Sequence, residues 1–187
     1  PKRFKRACKK ITRCNPCISS TITLSLITKD FSLKKVIHGQ THKVLMLEDE
    51  VLFNQGDEGN KAYMIVSGRL SVEVDNNEAG YMGDGEVFGE LALLLNQKRS
   101  ATVKSIKPTE LIEINKEGLD LILNSASDQV RGMIIKLCEE LSKRTEFQKI
   151  PFTLEELNSQ VGDENELITK LARQIFYRLD KSTSHVE

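Results

Sequence analysis

The 187 residues leave room for one domain of about 100–150 residues with flanking segments. At 39% hydrophobic and 29% charged the composition is that of an ordinary soluble domain, and no apolar run reaches the roughly 18 residues of a membrane span. The formal net charge of zero hides an asymmetry: residues 1–29 carry eight basic side chains and no acid, so the remainder, with 19 basic and 27 acidic residues, is net −8. An acidic body argues against a nucleic-acid binder in its own right.

The first 19 residues read as irregular. The basic start is not followed by an uninterrupted apolar core and a small-residue cleavage site, so no signal peptide is expected and the cytoplasm is the expected location. The same basic arm is the one part of the chain suited to acidic lipid, and a solvated arm is the simpler expectation. Cys14 and Cys17 have metal-like spacing, but no second such pair accompanies them; free thiols and no metal are expected. Ser20–Thr28 alternates with period two, as a strand does, and Asp30–Ile37 reads as a short helix capped by Asp30 and stopped at Gly39.

From Thr41 to Ile114 short strands alternate with turn signals. Val44–Leu47 and Val51–Phe53 come first, and Asn54–Asn60 is a turn cluster. Tyr63–Val66 is an apolar strand, Ser67-Gly68 reads as a turn, and Leu70–Val74 alternates as a half-buried strand. Asp75-Asn76-Asn77 turns again. Thr102–Ile106 and Glu110–Ile114 read as a closing pair across Lys107-Pro108. The spacing predicts a β-sandwich or jelly roll. Lys116–Leu123 then reads as a short helix and Ser127–Lys143 as a longer one. The longer helix carries a seam at Val130, Ile134, Leu137 and Leu141, spaced 4-3-4 and widened by Met133 and Cys138.

Near the end, Thr153 to Glu156 forms a capping box with Phe152 and Leu157 as a staple. That helix is expected to run to Gln160, with Gly162 as its stop. An amphipathic helix follows through Leu167, Leu171, Ile175 and Leu179. The pair has a superficial likeness to the helix-turn-helix of catabolite-activator regulators. Asp163, Glu164 and Glu166 would repel phosphates there, so DNA binding is not expected. A helical hairpin for packing or homodimerisation is the simpler reading. The few histidines sit in no nucleophile pattern and no paired catalytic constellation appears, so no enzyme activity is expected.

The stretch Phe88–Val103 carries the chemistry. Gly89 permits a positive φ or a close backbone approach. The short helical run after it turns free N–H groups toward an anion. Arg99 offers a planar fork of donors matched to phosphate oxygens. Glu90 cannot bind phosphate and suits a sugar hydroxyl. The set asks for a ligand with an anion and a hydroxyl a few ångströms apart.

Phe88-Gly89-Glu90-Leu91-Ala92-Leu93, a variable loop, and Arg99-Ser100-Ala101-Thr102-Val103 together resemble the phosphate-binding cassette of the cyclic nucleotide-binding domain family. Gly56 to Val72 resembles the hairpin that precedes it, and the likeness covers about residues 41–142. It implies an α+β architecture: a basic N-terminal flank with a short helix over 1–40, a β jelly-roll barrel over 41–126, and a lid helix with a helical hairpin over 127–187. It also implies that Arg99 holds the cyclic phosphate and Glu90 the ribose 2′-hydroxyl, with Phe88, Gly89, Leu91, Ala92, Ser100, Ala101 and Thr102 around them. Arg131, Met133, Ile134 and Leu137 are the candidates for the lid over the base. The chain departs from the family in one place, with Asn96-Gln97-Lys98 where many members have proline before the arginine.

The resemblance implies a regulatory sensor of cyclic AMP, or less readily of cyclic GMP, that needs no cofactor. It would relay binding through its C-terminal helices to a protein partner or a fused domain. Two alternatives stand beside it: a transcription regulator with a degenerate helix-turn-helix, and a scaffold of the same fold that binds no ligand.

Overall fold

The computed structural model describes residues 42–143 and 149–183. The Cys14–Cys17 pair, the strand expected at Ser20–Thr28 and the helix expected at Asp30–Ile37 lie outside the described residues. Six strands form one antiparallel sheet: β1 (Lys43–Met46), β2 (Val51–Phe53), β3 (Lys61–Val74), β4 (Asn77–Gly83), β5 (Val87–Phe88) and β6 (Thr102–Asn115). The order is β1-β6-β3-β4, with β2 also on β6 and β5 also on β3. Among the described residues five helices flank it: α1 (Glu90–Leu94), α2 (Lys116–Asn124), α3 (Asp128–Ser142), α4 (Leu154–Val161) and α5 (Glu166–Thr183). This is the β-barrel with C-terminal helices that the sequence implied. No helix among the described residues is long and apolar enough to cross a membrane.

Two expected breaks are absent. Tyr63–Val66 and Leu70–Val74 are one strand, β3, and Thr102–Ile106 and Glu110–Ile114 are one strand, β6, paired along almost its whole length with β3. The turn chemistry at Ser67-Gly68 and Lys107-Pro108 makes bulges instead of reversals. The register between the two strands slips at both places, where Ser67 faces Glu110 and Arg69 faces Lys107. Pro108, which has no N–H to give a ladder, falls in that gap. Gly68 adopts φ +129 and lies against Thr109, whose hydroxyl accepts from the Arg69 amide at 3.1 Å. Beyond it, Asp75 and Asn76 both take positive φ and form a two-residue hairpin into β4, a strand the sequence reading missed because Asn77–Gly83 is poor in β-formers.

The helical boundaries follow their caps. Asn115 accepts from the Gly118 amide and opens α2, and Ser127 accepts from the Val130 amide and opens α3. The capping box at Thr153 and Glu156 is complete, and α4 ends at Val161. Its cap Gly162 has ordinary right-handed helical angles, so the stop there does not depend on a left-handed glycine. Two cores result. Inside the barrel, Ile65, Leu70, Phe88, Val103 and Leu111 pack together. Between barrel and helices, Met64, Ile112, Leu119, Val130, Ile134, Leu137, Leu157, Ile168, Leu171, Ile175 and Leu179 form a larger one. The heptad seam of α3 is therefore an internal packing surface shared with α4 and α5.

A methyl group on Gly68 would sit 2.2 Å from Thr109 Oγ1 and 2.6 Å from the Thr109 Cα, in a backbone conformation that L-residues rarely adopt. Gly68→Ala is expected to cost about 2 kcal/mol or more of stability in urea denaturation. A loss under about 0.5 kcal/mol would mean that the bulge is not constrained as described.

Candidate ligand-binding site

The cassette begins where β5 leaves the sheet. Gly89 takes φ +76 as the N-cap of α1, which turns the chain so that Glu90 points inward and is completely buried. Ala92 and Leu93 are the other buried residues of this short helix. The loop returns through Asn96, at φ 51, to Arg99. The turn cluster after β2 grips it there: the Arg99 amide donates to Asp57 O at 2.8 Å and the Gly56 amide to Arg99 O at 2.9 Å. One step further, the Gln55 amide donates to Thr102 Oγ1 at 2.9 Å.

The Arg99 side chain is only 5% exposed. Its Nη1 donates to Gly89 O at 3.0 Å and its Nη2 to Lys61 O at 2.7 Å. Its Cζ lies 4.1 Å from the centre of the Phe53 ring, which itself packs with Tyr63 and Phe88. Burial pushes its ionisation down from the ordinary guanidinium value, while Tyr63, Glu90 and Asp57 oppose that shift. An arginine nonetheless stays charged. Two glycines make room for it: a Cβ on Gly59 would lie 2.9 Å from the guanidinium, and one on Gly89 would lie 2.6 Å from Nη1.

Glu90 is held from the far end of the chain. Oε1 accepts from Arg178 Nη1 at 2.7 Å. The same arginine donates through Nη2 to Val87 O at 2.7 Å. One turn earlier on α5, Gln174 makes two bonds to the Val87 backbone, accepting from its amide at 3.0 Å and donating to its carbonyl at 2.7 Å. Sequence reasoning missed Arg178 and Gln174. Their one trace in the sequence is position: 171, 174 and 178 share a helical face, so polar groups continue the stripe begun by Leu171. It also missed Phe53 and Gly59.

Among the described residues, two buried side-chain polar atoms have no hydrogen-bond partner: Glu90 Oε2 and Arg99 Nε. Native interiors leave few such atoms. Here they fall on the carboxylate and the guanidinium that the cassette reading assigned to a hydroxyl and a phosphate.

The remaining candidates are spread around them. Phe88 and Ala92 are buried; Gly89, Leu91, Ser100, Ala101 and Thr102 are half-buried. A cleft of about 270 Å³ is lined by Gln55, Gly56, Leu91, Gln97, Lys98, Arg99, Ser100 and Ser142, the last from the end of α3. That is close to the lower end of the roughly 300–1,000 Å³ of small-molecule pockets. Of the lid candidates, Ile134 and Leu137 are fully buried in the helical core, and Met133 is partly buried against it. Arg131 lines a separate cleft of about 220 Å³ between α1, α2 and α3, and bonds to Asn124 and Asp128.

Comparison with known proteins places this geometry. Residues 44–126 match the cyclic nucleotide-binding domain family. By that match the barrel belongs to the cyclic nucleotide-binding domains. A cGMP-dependent protein kinase of Eimeria tenella is 30% identical over 113 residues, 60% of this chain. The match takes in only 11% of the kinase, so the chain spans a small part of that relative. Among solved structures, the cAMP-bound form of the EAL enzyme Bd1971 is 31% identical with a TM-score of 0.50, over 54% of this chain and 28% of that one. Its cGMP-bound form is 27% identical with a TM-score of 0.51, over 71% and 34%.

Cys138 lies on α3 near both Glu90 and Arg178, and burial drives its thiol well above the ordinary value. A group whose native value is raised stabilises the fold fully below its unfolded value, about 8.5, and progressively less as pH rises toward the native one. Stability by urea denaturation is therefore expected to fall from pH 8 to 10, and to fall less steeply in Cys138→Ala. Equal slopes would refute the thiol's share.

Proposed function

We propose that the chain is a cyclic nucleotide sensor in which Arg99 receives the cyclic phosphate and Glu90 the ribose 2′-hydroxyl. The observation that carries this is the pair of unpartnered buried atoms, Arg99 Nε and Glu90 Oε2. A donor with fixed positive charge and an acceptor sit on opposite ends of one five-residue helix and its loop, and a cyclic nucleotide presents the complement of both. Arg99 already gives its two outer nitrogens to Gly89 O and Lys61 O. The phosphate would take Nε directly and compete for the outer nitrogens. Charge-assisted bonds to a phosphate are stronger than bonds to neutral carbonyls, so the exchange favours the ligand.

Ser100, next to the arginine and half-buried, supplies a hydroxyl that either a guanine amino group or the phosphate could use. Cyclic AMP is proposed ahead of cyclic GMP. The chain acts by relaying occupancy through its C-terminal helices to a protein partner or a fused domain, not by chemistry of its own. α4 and α5 are packed into the core rather than presented outward, which supports a relay over DNA reading.

Calorimetric titration with cyclic AMP, cyclic GMP and 5′-AMP tests the reading. Saturable binding of a cyclic nucleotide and none of 5′-AMP is expected. Arg99→Glu should abolish binding, since losing a buried charge partner costs about 2–5 kcal/mol and the reversed charge also repels phosphate. Glu90→Ala should weaken it less. Parent-like affinity in Arg99→Glu would show that the ligand sits elsewhere.

A further inference from the structure

Resting on that reading, we propose that Phe53 is a positioning residue for Arg99: the face of its ring stands where a counter-ion would, holding the guanidinium in place for the phosphate without neutralising it. A guanidinium buried this deeply needs compensation for the water it has lost. A carboxylate is the usual compensation, and an incoming anion would have to displace it. Among the described residues no carboxylate is hydrogen-bonded to Arg99; its two outer nitrogens go to the neutral carbonyls of Gly89 and Lys61. Glu90 and Asp57 favour its charge from a distance. The Phe53 ring is the close group, its centre 4.1 Å from Cζ, and the Tyr63 ring stands further off at 5.8 Å. A cation within about 6 Å of a ring centre is attracted to the negative face, and more strongly out of water.

A bulge aims this ring. β2 pairs with β6 as Val51 with Lys104 and Phe53 with Val103, so two steps on β2 match one on β6. In a regular strand Leu52 and Phe53 would point to opposite faces of the sheet. Here both are half-buried against the inner core of the barrel, in keeping with the way bulges re-aim a side chain. The ring is steadied by Tyr63 and Phe88, at 6.1 and 6.2 Å between centres. The turn that leaves β2 holds the Arg99 backbone through Gly56 and Asp57, and Gly59 in that turn leaves the space the guanidinium occupies. Backbone and side chain of the arginine are thus both set by β2 and its turn.

The sign of the effect follows from what a ring can and cannot do. It lowers the cost of keeping Arg99 inside, so the ligand meets a guanidinium already in place and need not order it. It carries no formal charge and no acceptor oxygen, so it does not compete with phosphate for Nε or the outer nitrogens. Without the negative face the guanidinium turns out toward water, and the ligand has to bring it back.

The test replaces Phe53 with mono-, tri- and pentafluorinated phenylalanine, which keep its shape while progressively draining the ring face of negative charge, and separately with leucine. Affinities for cyclic AMP and cyclic GMP are measured by calorimetry, with urea denaturation to show that each variant is folded. Affinity is expected to fall stepwise along the fluorine series and to be about tenfold weaker in the pentafluorinated chain. Phe53→Leu should lose about as much, because an aliphatic side chain fills part of the space and offers no π face. In the ligand-free chain the Arg99 side-chain N–H resonances, shifted upfield over the ring, should move downfield in Phe53→Leu. A parent that binds while the fluorine series keeps its affinity overturns this inference alone, since the ring would then only fill space. Tighter binding along the series overturns it too, since the ring would then be holding the charge back from the ligand. A parent that binds neither nucleotide overturns the proposed function and this inference with it.

Discussion

A fully buried carboxylate is the constraint on which the rest of this site depends. Glu90 lies inside because Gly89 turns the chain at the end of β5, and among the described residues no cation of the barrel is hydrogen-bonded to it. Breaking a buried ion pair by removing one partner costs about 3–5 kcal/mol, so the position of Glu90 requires an arginine from elsewhere. It comes from residue 178, more than eighty residues later. The C-terminal hairpin is thus tied to the cassette by charge as well as by the apolar face of Ile168, Leu171, Ile175 and Leu179.

Arg99 solves a related problem with different means. Among the described residues no carboxylate is hydrogen-bonded to it. Two backbone carbonyls and the face of Phe53 surround it instead. Such an environment holds a guanidinium without satisfying it, leaving charge for an anion to complete. The aromatic group of Phe53, Tyr63 and Phe88 also ties the arginine to the interior of the barrel, so the phosphate end of the site is braced by β2, β3 and β5 together. On the proposed reading, the ligand bridges two charges that the protein supports from opposite directions: Arg99 from the sheet and Glu90 from the helices.

How much of this was legible in the sequence varied with the range of the interaction. Local chemistry read well. The capping box at Thr153 and the turn at Asp75-Asn76 both depend on neighbours within a few residues. Bulges read poorly, because Ser67-Gly68 and Lys107-Pro108 have the residues of a turn, and only their cross-strand partners decide that the strands continue. The pairing of Glu90 with Arg178 could not be read at all. It joins distant segments, and an arginine beside an apolar helical stripe looks like any solvated helix edge until the facing surface is known.

The central claim is that Arg99 and Glu90 share one cyclic nucleotide. Nuclear magnetic resonance of the Arg99 Nε–H group, assigned by its absence in Arg99→Lys, tests it most directly. That N–H is buried and unpartnered, so a new hydrogen bond to phosphate must register there. Titration with cyclic AMP is predicted to shift the resonance downfield and slow its exchange with water, while 5′-AMP leaves it in place. Saturating cyclic AMP with no change at Arg99 Nε–H would contradict the account.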